Sequence, residues 1–255
     1  ADVVQRAKAL VVNPLKVSQP VGASLAFLGL AQAMPLEHGA RGCTAFNKLF
    51  FMRHFREPIA LQTTAMDVAT VVMGADENVV QALETICAQY QPAIIGLITT
   101  GLSETQGADV LRSLRSFRVR YPQWAEVAIV PVSTSDTLGC LETGYAQALC
   151  AIIEEFAPTA VMRRAAPRPQ QVNVLVPSMF TPGDIEALKT WIEAFGLTPV
   201  IVPDIADSLD GHLTTKGFSA LTYGGTTREQ LASLDQAAAT LVIGDPRNDA
   251  EAARA

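Results

Sequence analysis

Ala93 to Thr99 is an unbroken apolar run, and it narrows the possible folds more than any other stretch. A strand with one wet face alternates apolar and polar residues, whereas one buried on both faces does not. Its neighbours along the chain read as helices. Before it, Val79, Val80, Leu83, Ile86, Cys87 and Tyr90 share one face at helical spacing, with Asp76 as the expected cap. After it comes a polar turn, Thr100 to Glu104, and a helix to about Arg120. A doubly covered strand between helices belongs to a parallel α/β sheet.

The rest of the chain repeats the alternation. Pro20 suits the first turn of a helix running to about Leu30. Met34 to Leu36 and Val127 to Val132 read as strands, and Thr137 to Phe156 as mostly helix. Thr159 to Gln170, rich in proline and basic residues, reads as a linker. Beyond it, strands are expected at Val172 to Val176, Val200 to Val202 and Leu241 to Ile243. Thr181-Pro182-Gly183-Asp184 carries cap, first-turn proline and first-turn acid of a helix, with Leu188, Trp191, Ile192 and Phe195 as its buried stripe and Gly196 as its stop. The expectation is two Rossmann-like α/β domains, residues 1–165 and 171–255. The second reads as incomplete, because Asp249 to Ala255 resembles a helix that never finishes.

Composition limits the function classes. With 255 residues, 49% of them hydrophobic and 17% charged, the chain has material for a large core and a low-charge surface that a partner can cover. A net charge of -6 argues against nucleic acid or an anionic membrane as partner. No apolar run reaches the ~20 residues of a membrane span. The start lacks the basic and apolar regions of a signal peptide, and its first Ala suits removal of an initiator Met. The expected location is the cytoplasm, where four scattered cysteines do not form a disulfide framework.

The chemistry is concentrated at His38-Gly39-Ala40-Arg41-Gly42-Cys43, which precedes an aromatic, apolar segment read as a helix from Thr44 to Phe55. The glycines suggest backbone that other residues resist. A cysteine at a helix start meets N–H groups that favour thiolate, the form that binds metals and clusters. One cysteine does not make a four-ligand site, so other ligands must come from this chain or another. Cys87 and Cys150 read as core. Cys140, after Gly139 at a helix start, is the other electropositive candidate. His38 reads as a hydrogen-bonded turn histidine rather than a ligand, His54 as a surface or interface residue and His212 as a structural loop residue. No nucleotide-binding glycine loop or nucleophile elbow is visible, so the chain does not read as a self-contained enzyme.

Leu15 to Ala23, Met34 to Cys43, Arg53 to Pro58, Leu61 to Asp67, Thr99 to Glu104 and Thr181 to Asp184 together resemble β-type subunits of the nitrogenase component 1 superfamily. Among these they are most similar to the NifN family, the β-like subunits of the scaffold on which the nitrogenase iron–molybdenum cofactor matures. The resemblance covers essentially the whole chain. It implies the superfamily's parallel-sheet fold, with a third domain absent here.

The departures separate the branches. In catalytic β-subunits three cysteine ligands of the large cluster align with Ser18, Cys43 and Gly101, and this chain keeps only Cys43. The resemblance therefore implies one cysteine donated to a 4Fe–4S cluster at a subunit interface, the other three coming from a NifE-type partner in a heterotetramer. Ser18, Arg41, Gly42 and Gly101 are then the candidate cluster environment. Arg41, in an Ala40-Arg41 pair where relatives often carry Ser-Gln, places a cation that would raise the cluster potential. The resemblance further implies that the cofactor precursor is delivered by NifB, is held mainly by the partner, and that the nitrogenase iron protein docks on the complex. Two alternatives stay open: a β-type subunit of a catalytic nitrogenase-like reductase, and a metal-free α/β interaction module.

Overall fold

The computed structural model describes residues 17–135, 137–157, 166–209 and 219–244. The first part runs α1 (Gln19–Leu28), β1 (Ala33–His38), α2 (Arg41–His54), β2 (Gln62–Thr63), α3 (Val68–Met73), α4 (Asp76–Tyr90), β3 (Ile94–Thr99), α5 (Gly101–Gln106), α6 (Val110–Arg120), β4 (Ala128–Val132) and α7 (Leu141–Phe156). The second runs β5 (Arg168–Leu175), α8 (Pro182–Ala194), β6 (Thr198–Val202), α9 (Ile205–Ser208), α10 (Arg228–Leu231) and β7 (Ala237–Val242). One sheet has the order β2-β1-β3-β4 and the other β6-β5-β7, with every pairing parallel.

The central strands explain the layout. All residues of β1 and β3 are buried, so both faces of the first sheet need helices. α1 packs on β1 and β3 and against α7, while α4 packs against α6. Phe27 of α1 lies in the space above Gly96 of β3, where any side chain would overlap its ring. α1 and α7 approach so closely that a Cβ on Gly22 would strike the Leu141 carbonyl and one on Gly144 the Gln19 carbonyl.

The two sheets share one hydrophobic core. The turn after α1 is clamped by the second half: the Gly29 carbonyl accepts the Asp204 N–H at 3.0 Å and the Thr226 N–H at 2.9 Å. The Ala33 N–H donates to the Thr222 hydroxyl at 2.8 Å. The Tyr145 hydroxyl donates to the Val176 carbonyl at 3.1 Å, tying α7 to the end of β5.

Several local expectations shift. α2 begins at Arg41 rather than Thr44. Asp76 is the first helical residue of α4, with Ala75 as cap. The polar stretch at Thr100 is not a turn but the start of α5, which ends at Gly107 before α6 begins. Residues 168–170 of the expected linker already belong to β5. On α8 the buried residues are Ile185 and Ile192, with Leu188 packed beside them, whereas Trp191 is 73% and Phe195 82% exposed. The helical period allows either stripe, and the sheet selected the one through Ile185. Cys150 is half-buried rather than fully in the core. His212, residues 159–165 of the expected linker with its basic pair Arg163 and Arg164, and the stretch from Asp245 to Ala255 lie outside the described residues.

Candidate functional site

The strand order reverses at β1. The chain passes from β1 to β2 on one side, then returns to β3 and β4 on the other. In open parallel sheets the crevice beyond the carboxyl ends of the strands at such a reversal is where ligands bind. The loops after β1 and β3 both open there, with His38 opposite Thr99 in register. The first leads into α2 and Cys43, the second into α5 and Gly101.

A chain of hydrogen bonds lines this edge. The Thr100 hydroxyl donates to the His38 carbonyl at 2.8 Å. The Thr99 hydroxyl donates to the Glu104 carboxylate at 2.5 Å and accepts the Thr134 N–H at 2.7 Å. Ser135 N–H donates to the Gln19 side-chain carbonyl at 2.8 Å, next to Ser18. The junctions that carry Ser18, Cys43 and Gly101 are thus joined along one edge of one sheet.

Cys43 lies in the first turn of α2 and is exposed. Arg41 and Gly42 beside it are exposed as well. Neither Gly39 nor Gly42 has the left-handed backbone anticipated for this turn. Gly39 is required for another reason: any side chain there would overlap Thr100. At Gly42 a Cβ would meet no other atom of the described residues within 4 Å, which leaves open space beside the thiol. Ser18 is the residue before α1, but its hydroxyl does not cap that helix. Gly101 has no side chain to offer.

α2 is inside out. Its buried residues are Thr44, Asn47 and Phe51, while Phe46, Leu49, Phe50 and Met52 are 64%, 48%, 44% and 61% exposed. Cys43, Phe46 and Phe50 follow helical spacing along the outer side. The polar inner side is held by Glu37, a fully buried acid in β1. Its carboxylate accepts from the Thr44 hydroxyl at 2.7 Å, the Asn47 amide at 2.7 Å and the Ser24 hydroxyl of α1 at 3.1 Å. The sequence carried a signal for this residue, a single acid directly after the apolar run Ala33 to Leu36, which the motif reading passed over.

His38 is buried behind the turn, its Nδ1 2.9 Å from the Thr64 hydroxyl. Burial pushes its pKa down from 6.5 to about 4, against the opposing pull of the Asp76 carboxylate. It is a neutral, structural histidine. Cys87 is buried and its thiol is pushed up to about 11, mainly by loss of water. Cys140 caps α7, buried, with its Sγ 3.3 Å from the Glu142 carboxylate. Among the described residues no three His, Cys, Asp or Glu side chains gather to hold a metal ion, and no helix is long and apolar enough to cross a membrane. The donor set fits one share of a cluster, a single exposed thiol beside open space, and not a complete site.

The chain is similar to known proteins over nearly its whole length. The nitrogenase iron–molybdenum cofactor biosynthesis protein NifN of Klebsiella pneumoniae is 47% identical over 244 residues, covering 96% of this chain. The NifN protein of Rippkaea orientalis is 50% identical over 246 residues, covering 93% of it. The chain spans about half the length of these relatives, 52% of each. A solved structure of nitrogenase Cp1 at pH 6.5 superposes with a TM-score of 0.86 at 29% identity, covering 99% of this chain and 53% of the other. Residues 18–254 match the nitrogenase component 1 type oxidoreductase family, and the chain belongs to that family.

Proposed function

We propose that this chain is part of a scaffold subunit on which the nitrogenase iron–molybdenum cofactor is assembled, and that Cys43 donates one ligand to a 4Fe–4S cluster shared with a NifE-type partner. The observation that carries this reading is Cys43 on the outer, apolar side of α2, at the carboxyl edge of the first sheet. A thiol on such a surface is placed to meet an approaching partner chain. The names of the relatives supply the cofactor. A cluster bound here would supply electron transfer. Cys43 would hold it, Arg41 would place a positive charge near it, and Gly42 would leave it room.

In the same reading the precursor is cargo, delivered by a NifB-type donor and held mainly by the partner. The iron protein docks on the assembled heterotetramer, which works in the cytoplasm. In this reading the described residues up to 157 and those from 166 onward belong to two α/β domains. Gly101 counts against a catalytic nitrogenase subunit, since a large cluster needs a ligand there and glycine has none.

The test is anaerobic co-purification of the complete chain with a NifE-type partner, wild type against Cys43→Ala. Loss of about one four-iron cluster, with its reduced-state EPR signal, from an intact complex supports the proposal. Unchanged iron and signal make Cys43 structural and sink it.

A further inference from the structure

We propose that Glu37 is the positioning residue for Cys43: its carboxylate fixes the rotation of α2 about its own axis, and so the direction in which the thiol points. This rests on the reading of Cys43 as a cluster ligand.

The argument starts from what hydrophobic burial alone would do. α2 carries Phe46, Leu49, Phe50 and Met52 on one side and Thr44, Asn47 and a single core aromatic, Phe51, on the other. Burial of apolar surface is the main force that orients a surface helix. It would turn the aromatic side inward and swing Cys43, which lies at the seam between the two sides next to Phe50 and Asn47, to the opposite flank of the helix. The observed helix is rotated the other way.

What opposes the rotation is visible in β1. A carboxylate at a fully buried strand position is costly, and leucine would pack there without that cost. Glu37 is tolerated because both its oxygens accept hydrogen bonds, Oε1 from Ser24 and Asn47 and Oε2 from Thr44. Two of those donors sit on successive turns of α2, the third on α1. Donors on successive turns of one helix, both directed at one carboxylate, fix its rotation as a single bond does not. Thr44 is the residue next to Cys43, so the first bond sets the ligand turn itself. Turning α2 around would bury a carboxylate stripped of two donors. Ligand direction in metal sites depends on such supporting bonds, and their loss typically weakens metal binding by about 10–100-fold.

The experiment uses the complete chain in complex with its NifE-type partner, prepared anaerobically, in four variants. Glu37→Leu removes the acceptor. Glu37→Gln keeps the shape and one acceptor, and its amide can donate to Thr44. Thr44→Val removes only the donor next to the ligand. Cys43→Ala is the reference for the cluster itself. The readouts are iron retention against a chelator and the reduced-state EPR line shape, with complex size as control. The expected result is iron retention weakened about tenfold in Glu37→Leu and Thr44→Val, with a broadened or shifted EPR signal, and a near-normal Glu37→Gln. If Glu37→Leu fails to fold, Thr44→Val against Glu37→Gln decides. An unaltered EPR signal and retention in Thr44→Val, and in Glu37→Leu where it folds, overturn the inference while a cluster-free Cys43→Ala leaves the ligand reading standing. A Cys43→Ala complex that keeps its cluster overturns the ligand reading instead.

Discussion

Cys43 and Phe46 stand one helical turn apart on the outward side of α2, the thiol exposed and the ring 64% exposed. Aromatic residues of this kind, beside a polar or reactive group, are the usual anchors of protein interfaces. Phe46→Ser is therefore expected to weaken co-purification with the partner by about 2 kcal/mol, roughly thirtyfold. The stability of the chain itself should shift by less than about 0.5 kcal/mol, since the ring contributes little to its own core. A titration of partner binding paired with urea denaturation of the variant measures both. Equal binding by the variant would remove α2 from the interface.

The thiols should react in a fixed order. Cys43 is exposed, whereas Cys87 is buried with its thiol pushed up to about 11 by loss of water. The thiolate is the nucleophile, so access and thiolate fraction both favour Cys43. Brief treatment of the native chain with iodoacetamide, read by peptide mass spectrometry, is expected to label Cys43 first and Cys87 only after denaturation. In the intact complex Cys43 should become protected. Early labelling of Cys87 would contradict the packing of α4.

His38 gives the fold a pH dependence of known sign. Its pKa falls from 6.5 to about 4 because burial removes water, so the folded state holds it neutral. The unfolded chain takes up a proton below 6.5 and the folded chain does not, so stability is complete above that pH and is lost as pH falls toward 4. Between pH 7 and 5 this amounts to about 2 kcal/mol. His38→Asn offers Thr64 an acceptor near the position of Nδ1 without a titrating group. Its urea-measured stability should fall less over that interval, by about that amount. Identical pH slopes in the two proteins would show that His38 is solvated or charged.

The fold was more legible than the orientation of its helices. The doubly buried β3, the α8 capping box and the α4 stripe follow from local patterns that burial then confirms. At the site, a helix start beside Cys43 was readable from the glycines and the aromatic run, although α2 begins at Arg41 and not at Thr44. The reason for Gly39 was not, because it depends on Thr100, sixty-one residues away in the chain and adjacent only after β1 and β3 pair. The inside-out rotation of α2 was hidden for the same reason. Its aromatic, apolar run gives no sign of which side faces the sheet, and the buried Glu37 with Thr44, Asn47 and Phe51 decides it. Trp191 and Phe195 misled as apolar residues at helical spacing that the sheet never covers.

The crossing of α1 and α7 is the least tolerant contact at this edge. Gly144 faces the Gln19 carbonyl and Gly22 the Leu141 carbonyl, both backbone atoms that cannot swing aside. The same crossing is locked by Gln19, whose amide donates to the Thr143 hydroxyl at 3.0 Å while its carbonyl accepts from Ser135 at 2.8 Å. A methyl group at residue 144 must push α7 away from α1, which loosens Gln19 and the Ser18 junction with it. Overpacking of this kind typically costs about 1–3 kcal/mol. In an exposed helix interior the same exchange would stabilise by up to about 1 kcal/mol, since alanine is the better helix former. The two effects oppose each other, and the backbone overlap is the larger. Gly144→Ala is therefore expected to lower stability in urea denaturation by about 1–2 kcal/mol. Gly183→Ala in α8, where a Cβ would meet only the Thr181 hydroxyl oxygen at ordinary contact distance, should leave it unchanged or raised. A neutral or stabilising Gly144→Ala would mean that the helices separate without cost, and that the edge carrying Ser18 is set by something other than this crossing.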